Sequence, residues 1–172
     1  RVLDVGRVDA RHYVALEYVE GWTLAEKLAF EDPPPAARAF QWASQLAHGL
    51  AAAHAAGVYH GDMSPERVLV DGHQHARLTG FGFAPLTARP DDPFAPPEGR
   101  GEPSAAADAW GLGAILLATL TGGASPREGI RPQRLPEGAA AALDALLVPD
   151  PTHRPTDMWA VAATLAEVAE GL

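Results

Sequence analysis

An imidazole, a carboxylate, a hydroxyl and a guanidinium follow one another at His60, Asp62, Ser64 and Arg67. Carboxylates and imidazoles exchange protons in catalysis, and a guanidinium binds phosphate or carboxylate oxygens two at a time. The stretch follows a periodic apolar segment that stops at Gly57, and it runs into Val68-Leu69-Val70. It reads as an irregular loop held between a helix and a strand, where catalytic groups tend to sit. Asp71-Gly72 is a hairpin-turn signal, which predicts a two-stranded hairpin over 67–79 with its second strand at 75–79. Gly80-Phe81-Gly82 follows directly. His73-Gln74-His75 lies in the hairpin turn and supplies only two of the ligands that a metal site needs, so it reads as an exposed turn.

The elements that must position this loop are legible on both sides of it. Residues 1–22 hold two apolar runs around Asp9-Ala10-Arg11, which predicts an antiparallel hairpin. Thr23-Leu24-Ala25-Glu26 is a capping box opening a short helix through Phe30. Asp32-Pro33-Pro34-Pro35 ends it and pre-sets the next start. Over 36–56 apolar residues recur at Phe40, Ala43, Leu46, Ala47, Leu50 and Ala53, a helical stripe closed by Gly57. His48 and His54 on this helix read as packing or surface residues. Ser104 caps a helix through Thr121 that is apolar on nearly every side, and this predicts the buried axis of the domain. Residues 122–138 hold three prolines and no helical period, and amphipathic helices are predicted at 139–148 and 157–169.

Composition bounds the function. The 172 residues make one domain's worth of chain, 47% apolar and 20% charged, as in a globular protein with a single core. A net charge of −9 without a Lys/Arg cluster argues against a nucleic-acid surface. The absence of Cys excludes disulfides, Cys-ligated zinc and a thiol nucleophile. The longest apolar stretch, 109–120, is too short to span a bilayer. Arg1 opens the chain in mid-pattern without Met, which suggests a piece of something longer. Arg greatly outnumbers Lys, as in GC-rich bacterial coding.

Order and spacing then carry a resemblance. His60-Gly61-Asp62-Met63-Ser64-Pro65-Glu66-Arg67 resembles the catalytic loop of eukaryotic-type (bacterial Hanks-type) Ser/Thr protein kinases, His-Arg-Asp-Leu-Lys-Pro-x-Asn. Gly80-Phe81-Gly82 resembles the family's Asp-Phe-Gly, and Pro96-Pro97-Glu98 its Ala-Pro-Glu. Asp108-Ala109-Trp110-Gly111-Leu112-Gly113 resembles the central large-lobe helix, and Asp150 to Thr156 the Asp-Pro-x-x-Arg-Pro-Thr motif. His-Gly-Asp also occurs in small-molecule phosphotransferases, but the last two motifs belong to protein kinases. The resemblance implies a mainly α (α+β) fold: hinge and last small-lobe strands at 1–22, and a large lobe at 23–172 with a short hairpin at the catalytic loop. The usual docking helix has no counterpart at 122–138.

The resemblance also implies roles, and here the sequence departs. Asp62 stands at the position of the catalytic base, and Asp108 at that of the residue bracing the loop backbone. His60 and Phe81 take structural places, and Arg154 is expected to pair, buried, with Glu98. Leu16 would be the gatekeeper, Glu17 and Val19 the hinge backbone for adenine, and Leu69 the floor beneath it. Gly61 stands in place of the Arg that receives an activating phosphate, and Thr87 is the only hydroxyl inside the activation segment, 80–98. Ser64 replaces the loop Lys, and both metal-ligand positions are altered: Arg67 stands for Asn, and Gly80 for Asp.

Phosphoryl transfer rests on metal ions and cations around the phosphates far more than on the base. The expectation is therefore a pseudokinase, a binding or regulatory module with a protein partner. No cofactor is expected, Mg²⁺ least of all. ATP remains open, because Arg67 could stand between phosphates where a metal would sit, or else pair with Asp62 or Glu66. The alternative is a divergent Ser/Thr kinase that keeps weak activity through Asp62. No membrane segment is read in this chain, and its place is the cytoplasm, alone or as part of a membrane protein.

Overall fold

The structure, a computed structural model, describes residues 2–82, 91–99 and 101–172. Two strands, β1 (Val2–Val8) and β2 (Arg11–Leu16), form the predicted antiparallel hairpin around Asp9, which takes a positive φ of 54°. Val5 faces Val14, and Gly6 faces Tyr13, whose ring lies over the missing side chain and whose hydroxyl donates to Asp4. Nearly all of the hairpin is exposed, including Val2, Val5, Val8 and Leu16.

A second sheet has the order β3 (Gly21–Thr23), β4 (Val68–Asp71), β5 (Ala76–Leu78), antiparallel throughout. The predicted two-stranded hairpin thus gains a third strand from the segment after the hinge. Gly21 is required there: a Cβ would stand 2.3 Å from the Val70 carbonyl oxygen.

Five α-helices complete the described residues: α1 (Leu24–Phe30), α2 (Ala36–Ala55), α3 (Ala105–Thr121), α4 (Glu137–Leu146) and α5 (Met158–Glu170). The capping box at α1 forms as predicted, with Thr23 and Glu26 each satisfying the other's backbone N–H. Gly57 ends α2 at φ +72°, a conformation that glycine adopts at little cost. The start of α4 comes earlier than predicted because Pro136 already holds an N-cap conformation. Asp157 is not the first residue of α5 but its cap, accepting from the N–H groups of Trp159 and Ala160. The proline-rich stretch, predicted to lack helix, contains one 3₁₀ turn, Pro126–Glu128, closed by a Ser125/Glu128 capping box.

The core lies where the pattern of α3 puts it. Every residue from Asp108 to Thr119 is buried, with α2 on one side and α4 on another. Helix α5 closes the far side of α2, and the Ser44 hydroxyl donates to the Ala162 carbonyl across that contact. No helix among the described residues is long and apolar enough to cross a membrane.

Close approach of α3 to the loop depends on a missing side chain. A Cβ on Gly111 would lie 2.3 Å from the Cβ of Met63. Overpacking of this kind typically costs about 1–3 kcal/mol. Gly111→Ala is therefore expected to lower the urea midpoint clearly, and an unchanged midpoint would mean that the loop can move away freely.

Candidate active site

The loop after α2 is fixed from below by one carboxylate. Asp108, at 0% exposure, accepts the N–H of His60 on Oδ2 and the N–H of Gly61 on Oδ1, both at 2.8 Å. A third donor was not foreseen. His54 Nε2 lies 2.8 Å from Asp108 Oδ2, so His54 is part of the brace and not a packing residue. Because the carboxylate can only accept, Nε2 carries the proton, and Nδ1 is buried without a hydrogen-bond partner. No local signal marks this role, since the two residues meet only when α2 packs on α3. Gly61 takes φ +69°, a region open to glycine and strained for the Arg of the family pattern.

His60 is buried and spans the site. Its Nε2 bonds the Thr79 carbonyl at 2.9 Å, its Nδ1 accepts the Asp62 N–H at 3.2 Å, and Phe81 packs on its ring at 4.6 Å. Both contacts are those of a neutral imidazole, and burial, the largest influence, lowers its pKa. His60 thus links the loop to the strand end at Thr79 and to Phe81 beyond it.

The altered positions converge. A 3₁₀ turn, Pro65–Arg67, brings the Arg67 side chain back over Asp62. Nη2 donates to Asp62 Oδ2 at 2.8 Å and Nε to the same oxygen at 3.2 Å. The Asp62 side chain is 7% exposed and that of Arg67 29%. Of the two carboxylates open to Arg67 in the sequence, Asp62 is the partner, while Glu66 is exposed. Gly80 lies on the other side of the guanidinium at φ +87°. A Cβ there would stand 3.1 Å from Arg67 Cδ and 3.4 Å from Nε. Ser64 is half-buried at the foot of the turn.

A divalent cation, which the catalytic-loop pattern implies, does not fit this set. Hard cations take several oxygen ligands. Here one position has no side chain, another carries a fixed positive charge, and the surviving carboxylate already holds that charge.

The hinge residues lie elsewhere. Leu16 ends β2 with its side chain half exposed. Glu17 and Val19 line a cavity of about 760 Å³ together with Trp22, Lys27, Val70 and Asp71, and neither Leu69 nor Arg67 is among its walls. Leu69 is half-buried on β4, opposite Thr23. Thr87 falls in 83–90, outside the described residues. The His73–His75 turn is organised by Asp71, which accepts both backbone N–H groups.

Behind the site, Arg154 joins both ends of the lobe. Its Nη1 and Nη2 donate to Glu98 Oε1 and Oε2 at 2.7 Å, and its remaining donors reach the carbonyls of Val148, Ala106 and Pro149. The guanidinium also stacks over Trp110, 5.0 Å from the ring centroid. The expected pairing is present, but it is buried on one side only. The Arg154 side chain is 0% exposed and that of Glu98 33%, because Glu98 lies on a surface loop. Burial acts to raise the Glu98 carboxyl, and the bonds and charge of Arg154 outweigh it and hold the group below the ordinary glutamate value.

Comparison with known proteins agrees with this geometry. A family model described as protein kinase domain matches residues 1–140. Serine/threonine-protein kinase PknE of Mycobacterium tuberculosis is 30% identical over 193 aligned residues, covering 96% of this chain and 34% of that protein. Serine/threonine-protein kinase GIN4 of Saccharomyces cerevisiae is 32% identical over 133 residues, 71% of this chain and 12% of that protein. A putative cyclin-dependent kinase F-2 of rice is 34% identical over 125 residues, 64% of this chain and 38% of that protein. The chain thus spans well under half the length of these relatives. The loop, its bracing aspartate and the Glu98–Arg154 pair accord with that match, and the chain belongs to the protein kinase domain family.

Proposed function

We propose that this chain is the hinge and large lobe of a pseudokinase, a module that binds and regulates a protein partner and does not transfer phosphate. The observation that carries this reading is the Arg67–Asp62 ion pair. A base accepts a substrate proton through its carboxylate oxygens, and here one of them, Oδ2, already takes two donors from a guanidinium that lies beside Gly80. Asp62 is therefore a positioned carboxylate with its charge already matched. A free base would contribute only about 10²–10⁴-fold, far less than the metal and cation terms that Ser64, Arg67 and Gly80 give up.

The module keeps what a binding surface needs. Asp108 and Arg154 hold the lobe together by contacts that involve no nucleotide. Any ATP held by the backbone of Glu17 and Val19 would lie in a cavity that neither Leu69 nor Arg67 lines, and it would be held without Mg²⁺. A divergent kinase remains the alternative, supported by the Ser/Thr kinases among its relatives and by the intact brace beneath Asp62.

The test is phosphoryl transfer from ATP to protein substrates, in Mg²⁺ and in EDTA, with the longest form of the protein that contains this chain. No product is expected in either condition. Phosphorylated product that appears with Mg²⁺ and disappears in Asp62→Asn establishes the kinase instead.

A further inference from the structure

We infer that the Arg67 guanidinium is a built-in counter-charge for buried Asp62 that holds the catalytic loop closed with no bound cation, and that glycine at 80 lets it lie there without strain. The inference deepens the pseudokinase reading and rests on it. It concerns what keeps the loop closed, which is a separate matter from whether phosphate is transferred.

Three observations point the same way. First, Asp62 is almost wholly buried, and a buried carboxylate needs a counter-charge or it will be protonated. Arg67 supplies that charge from within the same loop, five residues on, through two donors to one oxygen. Second, the two altered positions are a steric unit. Arg67 Cδ, Nε and Nη1 lie 3.1, 3.4 and 3.5 Å from where a Cβ on residue 80 would stand. At φ +87° any side chain would strain the backbone, and a Cβ at 80 would press on Arg67 Cδ, so glycine lets both the turn and the arginine settle without adjustment. Third, the position is locked from behind. The Arg67 carbonyl accepts the Thr79 N–H at 2.8 Å and the Thr79 hydroxyl at 3.3 Å, which ties the root of the arginine to the residue before Gly80.

The loop is thereby closed with no ligand present. A covalently attached counter-charge, unlike a diffusible ion, cannot leave. The catalytic loop of this chain should hold one conformation whether or not nucleotide is bound. A partner that reads this face would then meet the same surface at every nucleotide concentration.

The test uses thermal melting of the chain. Wild type is expected to melt at one temperature in EDTA, in Mg²⁺ and in Mn²⁺. Arg67→Gln should melt about 3–6 °C lower, because Asp62 is left buried without its counter-charge. Adding Asp62→Asn to Arg67→Gln should recover most of that loss. Arg67→Asp places a second carboxylate beside Asp62 and the open space at Gly80. It should melt lower still in EDTA and regain several degrees in Mg²⁺ or Mn²⁺, a rescue that an ordinary structural ion pair would not show. Three results overturn the inference: a wild-type melting temperature that rises with Mg²⁺, an Arg67→Asp variant indifferent to both cations, or no recovery in the double variant. A kinase assay positive for product would refute the pseudokinase reading and leave these melting results to stand or fall separately.

Discussion

Asp108→Ala is expected to cost about 3–5 kcal/mol and to lower the melting temperature by about 10 °C, the largest effect of any single truncation around the loop. The carboxylate accepts from His60 N–H, Gly61 N–H and His54 Nε2, the first buried and the other two partly so. Removing it takes the acceptor from all three donors at once. A buried donor left unmatched costs about 1–3 kcal/mol. Asp108→Asn is expected to be milder, since its amide oxygen can still take one backbone N–H while its NH₂ faces another donor. A urea melt in which Asp108→Ala lies within about 1 kcal/mol of wild type would show that the loop holds itself. In that case the positive φ at Gly61, rather than the brace, would be what fixes the turn.

The second large effect is expected at Arg154. Arg154→Ala removes a fully buried side chain, uncovers the Trp110 ring and orphans the carbonyls of Val148, Ala106 and Pro149, at a cost of about 3–5 kcal/mol. The partner should matter less. Glu98→Gln keeps one acceptor for Arg154 and turns its NH₂ toward the other donor, but a third of the Glu98 side chain already meets solvent, so about 1–2 kcal/mol is expected there. The pair also predicts a pH dependence. The folded state holds the Glu98 carboxyl below its ordinary value, so its contribution is complete above about pH 4.5 and is lost as pH falls through the folded value. Acid unfolding curves of wild type and Glu98→Gln should therefore converge at low pH and separate above it. Curves that stay parallel through that range would remove Glu98 from the account.

Much of this was legible because the strongest signals were local. The apolar girdle of α3 could only be a buried helix, and Thr23 with Glu26 could only be a cap. The misses were matters of distance. His54 sits on the helix stripe like any packing residue, and its acceptor lies 54 positions on. Strand β3 is three residues long, too short for an alternating pattern, and it exists because β4 offers an edge. Ser125 and Glu128 do carry a readable capping signature, which the surrounding prolines obscured. For Arg67 the sequence left two carboxylates open. The turn at Pro65–Arg67 selects Asp62, and it is that choice which places the cation over Gly80.

The contact of α2 with α5 has a consequence for how the chain is made. The Ser44 hydroxyl and the Ala162 carbonyl that it meets are 118 residues apart. On a ribosome, at about 5–20 residues per second, α2 emerges several seconds before the helix that covers it. Over that interval Phe40, Ala43, Leu46 and Leu50 can be sheltered by α3 and the hairpin strand β5, and the face that α5 covers stays bare. Nascent chains halted before residue 158 should therefore be protease-sensitive and prone to capture by chaperones, and the lobe should become resistant in one late step as α5 docks.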